Sequence, residues 1–75
     1  MKLRPVKPRR LIKLLKKLGY KEVRIHGSHH IFEKGDVTIT VPVHGDEEIG
    51  RGLLRKIIRD LGLTVEEFFR LLEEV

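Results

Sequence analysis

Val37-Thr38-Ile39-Thr40-Val41 alternates apolar and polar residues directly after Lys34-Gly35-Asp36, and no other stretch constrains the fold as strongly. Such alternation marks a strand with one buried face, and a tight turn containing Gly pairs it antiparallel with the segment before the turn. That segment is about His29 to Glu33, so a hairpin is predicted. Pro42 ends the ladder because it has no N–H to donate. Upstream, from Tyr20 to Ile25, Val23 and Ile25 alternate with Glu22 and Arg24. This predicts a further half-buried strand, joined to the hairpin by a turn at His26-Gly27-Ser28.

Helical periodicity flanks the strands on both sides. Pro8 suits a first helical turn, where its missing N–H has no partner in any case. Leu11, Leu14, Leu15 and Leu18 then recur at helical spacing, with Ile12 widening the stripe and Gly19 as the stop. After a loop over residues 44–50, Leu53, Leu54, Ile57, Ile58 and Leu61 mark a helix from about Gly52 to Asp60, closed by Gly62. Thr64-Val65-Glu66-Glu67 is a capping box that opens a last helix built on Val65, Phe68, Phe69, Leu71 and Leu72. The expected architecture is α+β in two layers: a three-stranded antiparallel sheet with helices on one face and the other face open. Residues 1–75 are too few for a second domain, so function is expected on the open face.

Residues 55–68 superficially resemble the first part of a helix-turn-helix DNA reader. A recognition helix needs basic or amide side chains near its N-terminus, and Glu66 and Glu67 stand there. The segment is therefore read as a packed helical hairpin.

Composition narrows the class. The chain has no Cys, so neither disulfides nor a cysteine nucleophile enter, and a reducing compartment is expected. No apolar run approaches the roughly 20 residues of a membrane helix. Met1-Lys2-Leu3-Arg4-Pro5 does not resemble a secretory leader. Asn, Gln and Cys are absent while Lys, Glu and Arg abound, a bias found in thermophile proteins and equally in designed ones. Charge is polarised: residues 1–30 hold ten Lys/Arg and one acid, net +9, whereas residues 31–75 hold six and ten, net −4. A basic end of this kind attracts a polyanion, with nucleic acid the first candidate and a merely solubilising helix the plain alternative. Arg9, Arg10, Lys13, Lys16 and Lys17 form the polar side of the first helix.

The chemistry-bearing residues are His26, His29, His30 and His44. Imidazole titrates near neutrality and is suited to moving protons. Adjacent strand residues face opposite ways, so His29 and His30 cannot both line one site on a regular strand. Apolar residues at both Ile31 and Phe32 leave the parity open. A metal site joining histidines to Asp46 or Glu47 lacks the usual ligand spacing. A phosphate-binding Gly-rich loop and paired catalytic carboxylates are also missing.

Together these residues resemble the HicA (YcfA-like) mRNA interferase toxins of prokaryotic toxin–antitoxin modules. The likeness runs through Leu14-Leu15-Lys16-Lys17-Leu18-Gly19-Tyr20, Gly27-Ser28-His29-His30-Ile31-Phe32 and Val41-Pro42-Val43-His44. It continues in Gly52-Leu53-Leu54-Arg55-Lys56-Ile57-Ile58 and Glu66-Glu67-Phe68. Leu53 departs from the Thr often found there, at a position read as part of the helix stripe. The resemblance implies a fold like a double-stranded-RNA-binding domain, α-β-β-β-α with an extra C-terminal helix. It implies an endoribonuclease that inhibits translation by cutting mRNA; a histidine base would need no metal or other cofactor, and the absence of Cys fits the cytoplasm. The catalytic residue would be His29, with Gly27, Ser28, His30 and His44 as auxiliaries. Arg9, Arg10, Lys13, Lys16, Lys17 and Arg24 would bind RNA, and a HicB-type antitoxin would be the protein partner. The competing classes are a non-catalytic double-stranded-RNA-binding-like module and a binder of an acidic protein. Only a nuclease would depend on His29.

Overall fold

In the computed structural model, which describes residues 2–75, the order is α1 (Pro8–Lys17), β1 (Lys21–His26), β2 (His29–Lys34), β3 (Val37–Pro42), α2 (Arg51–Asp60) and α3 (Val65–Leu72). The sheet is antiparallel throughout, in the order β1-β2-β3. This is the expected α+β arrangement, with the additional helix at the C-terminal end.

Each element begins and stops where local chemistry dictates. Pro8 opens α1, and Gly19, at φ +99°, turns the chain out of it. Both hairpins have two-residue turns in which Gly comes first at positive φ, Gly27 at +63° and Gly35 at +58°. A turn of that sign matches the right-handed twist of the strands it joins. At α3 the capping box is complete: the Glu67 N–H donates to Thr64 Oγ1 at 3.1 Å, and the Thr64 N–H donates to Glu67 Oε1 at 2.8 Å. The Glu67 carboxyl is held below its ordinary pKa, first by the Thr64 backbone bond and then by the Thr64 side chain.

The core lies between the helices and one face of the sheet. Phe32, Ile39 and Val41 supply the sheet side, Leu11, Leu14 and Leu54 part of the helix side, and all six are buried. Phe68 and Phe69 meet edge to face at 5.1 Å between centroids, and both are fully buried. Main-chain bonds between Val6 and Ile49, 3.2 and 2.7 Å long, tie the segment before α1 to the loop before α2.

Two sequence expectations are corrected. The first strand is not half-buried: every residue of β1 is exposed, with Val23 at 49% and Ile25 at 58%. A bulge between Glu22 and Arg24 breaks the alternation that Val23 and Ile25 imply. The larger cause is placement, since α1 and α2 pack over β3 and leave β1, at the far edge, without a helix above it. The second correction concerns Leu53, which stands exposed on α2 beside the buried stripe of Leu54, Ile57 and Ile58.

Candidate active site

Register decides which histidines can act together. In an antiparallel sheet, residues directly opposite each other share a face. His29 pairs with His26 across the β1–β2 hairpin and with Pro42 on β3. Ile31 pairs with Arg24 on one side and Thr40 on the other. Phe32 is buried under the helices, so its neighbours Ile31 and Glu33 face away from them, and His29 does too. The open face carries a cavity of about 520 Å³ lined by Arg24, His26, His29, Ile31 and Thr40. The side chain at each of these positions is exposed or half-buried.

His30 belongs to the opposite face. Its Nδ1–H donates to Glu22 Oε2 at 2.7 Å. Parity, open in the sequence, thus separates His30 from His29. Gly27 and Ser28 form the turn that carries His29. The Ser28 carbonyl accepts from the Val43 N–H at 2.7 Å, which docks the chain after β3 against the hairpin end. The Ser28 hydroxyl lies 3.4 Å from His44 Nε2, beyond usual hydrogen-bond length. His44 is therefore next to the turn but does not line the cavity. Among the described residues, no three His, Asp or Glu side chains converge as metal ligands do. Asp46 instead accepts from Arg9 at 3.2 Å.

Of the RNA-binding candidates, Arg24 alone shares the cavity with His29. The cations of α1 belong to the helix layer, and several hold other parts of the fold. Arg10 donates to the Leu72 carbonyl at 2.9 Å and Lys17 to the Glu74 carbonyl at 3.2 Å, both at the C-terminal end of α3. Cations there complement the negative end of that helix. Lys13 and Lys16 are exposed on α1.

Sequence reasoning named His26 but did not place it beside His29. Reading His26-Gly27-Ser28 as the turn removed His26 from the strand. The signal was present: a two-residue turn at Gly27-Ser28 makes the residues flanking it cross-strand partners.

No helix of the described residues is long and apolar enough to cross a membrane. Compared with known families, residues 8–63 match the family described as HicA toxin of bacterial toxin–antitoxin. No curated protein matches the chain.

Proposed function

The chain belongs to the HicA toxin family, which makes it the toxin of a toxin–antitoxin module with an antitoxin as partner, and from that premise we propose that it is an mRNA interferase using His29. The observation that carries this reading is the shared cavity of His29 and Arg24 on the face that no helix covers. RNA brings its own nucleophile. The enzyme needs only to take the proton from a 2′-OH and to stabilise charge on the adjacent phosphate. His29, neutral at Nδ1 or Nε2, removes that proton, a contribution typically of about 10²–10⁴-fold. Arg24 has a guanidinium that stays protonated and offers a planar fork of donors to phosphate oxygens. The products are a 2′,3′-cyclic phosphate and a 5′-OH, reached without a metal ion. Lys13 and Lys16, exposed on α1, hold flanking phosphates without reading bases. Residues 1–75 act as one RNA-binding and RNA-cleaving domain in the cytoplasm. A HicB-type antitoxin inhibits it by covering the open face.

The test is His29→Ala. The variant should keep the circular dichroism spectrum of the wild type and lose both RNA cleavage and growth inhibition. A substrate with 2′-deoxyribose at the cleaved position should be inert, and EDTA should leave wild-type cleavage unchanged. Full activity of His29→Ala would reject the assignment. Cleavage lost with EDTA and restored by Mg²⁺ or Zn²⁺ would replace it with a metal-dependent reaction.

A further inference from the structure

We propose that His26 is the general acid of the same reaction, so that the open face carries a histidine pair rather than a single catalytic histidine. This rests on the reading of the protein as a ribonuclease. Transphosphorylation needs two proton movements: one off the attacking 2′-oxygen and one onto the departing 5′-oxygen. Attacking and leaving oxygens stand roughly in line through phosphorus, so one imidazole serves one side. His29 and His26 are direct cross-strand partners, for which Cβ atoms lie about 4.5–5.5 Å apart. From that base two rings can splay to opposite sides of one phosphate while Arg24 meets its non-bridging oxygens. Arg24, His26 and His29 all line the one cavity.

The neighbouring groups leave no other proton donor there. Arg24 cannot release a proton in water, and Ile31 and Thr40 are not acids in this range. No carboxylate is among the lining residues. His30 faces the helix side, bonded to Glu22. His44 stands beside Ser28, outside the cavity. Lys21 and Glu33 pair with each other at the far end of the hairpin. The balance is complete. His29 takes the 2′-OH proton as the 2′-oxygen bonds to phosphorus. The P–O5′ bond breaks, and the His26 imidazolium gives its proton to the 5′-oxygen. The cyclic phosphate forms, with one histidine left protonated and the other neutral.

The experiment compares full-length wild type, His26→Gln and His29→Gln on two substrates. One is an oligoribonucleotide that the wild type cuts. The other is the same strand with sulfur replacing the bridging 5′-oxygen at the cut, a leaving group that needs no protonation. His26→Gln should lose about 10²–10⁴-fold in kcat/KM on the oxygen substrate and recover on the sulfur one. Its pH–rate profile should also lose the limb that falls at high pH. His29→Gln should be impaired on both substrates. Unchanged rates and an unchanged bell-shaped profile for His26→Gln would overturn the acid assignment and leave the ribonuclease intact. Equal impairment of His26→Gln on both substrates would overturn it too, as would sulfur rescuing His29→Gln instead. A wild type for which no cleavable oligoribonucleotide is found would reject the ribonuclease reading itself.

Discussion

Glu22 accepts a 2.7 Å hydrogen bond from His30 Nδ1 on the helix side of the hairpin, one residue away from a histidine that faces the other way. The two neighbours in His29-His30 are thereby given different work. His30 fastens β2 to β1 where the bulge disturbs their ladder, and His29 is left to the open cavity. Glu22→Gln or His30→Ala should therefore lower stability by about 1 kcal/mol, the usual net worth of one hydrogen bond. Turnover per folded molecule should stay near wild type. Denaturant titration and cleavage rates, measured on the same preparations, separate the two effects. A His30→Ala variant that folds normally and cuts nothing would contradict the division.

Phosphate grip and chemistry should separate in the same way. RNA affinity on single strands falls with salt at a log–log slope of about −0.7 per phosphate contact. Reversing Lys13 and Lys16 to Glu should flatten that slope and weaken binding to all sequences alike, with kcat at saturating RNA preserved. Arg24→Gln should instead reduce kcat by about 10²-fold, the effect of losing one donor to a developing oxyanion. Equal slopes for wild type and the reversed protein would remove α1 from the RNA surface and leave Arg24, Arg51 and Arg55 as the cations to test.

How much was legible in the sequence depended on whether a residue's environment is local. Gly35 and the Thr64–Glu67 box specify their turn and cap within a few residues and stand where the pattern put them, while Gly27 marks a turn one residue tighter than the expected His26-Gly27-Ser28. Val23 and Ile25 misled because alternation reports what a strand could bury, while burial depends on where helices far along the chain come to rest. They rest over β3. The parity of β2 was equally beyond local reading, since Ile31 and Phe32 fit either face. Only the packing of Phe32 beneath the helices chooses.

That choice has a measurable consequence. Phe32→Ala should cost about 3–5 kcal/mol, against a total stability of roughly 4–11 kcal/mol for a domain of this size. Ile31→Ala, on the open face, should cost far less. Chemical denaturation of both variants decides the matter, and equal losses would mean that the strand has its other face to the core.

The capping box gives a pH dependence of known sign. The folded-state pKa of Glu67 is lowered, so its bond stabilises the fold above the ordinary glutamate value of about 4.3. That contribution disappears as pH falls from there through the lowered folded value. Glu67→Gln keeps an acceptor for the Thr64 N–H but cannot titrate, and it should flatten this part of the acid stability curve. Thr64→Ala, which removes the cap itself, should cost about 1 kcal/mol at neutral pH. Melting temperatures across the acid range provide the readout, and an unchanged acid slope in Glu67→Gln would place the titration elsewhere.

The helices cover one face of the sheet and leave the other face of the β1–β2 hairpin bare, so the residues that hold the molecule together and those that would meet RNA are almost disjoint sets. Heritable change at positions 24, 26 and 29 is consequently cheap for the scaffold. Each lies on the surface, and no core contact is lost when it mutates. Substitutions there change what the open face presents while leaving the fold intact. For a member of a toxin–antitoxin family, this layout gives a scaffold that does not resist change on its open face.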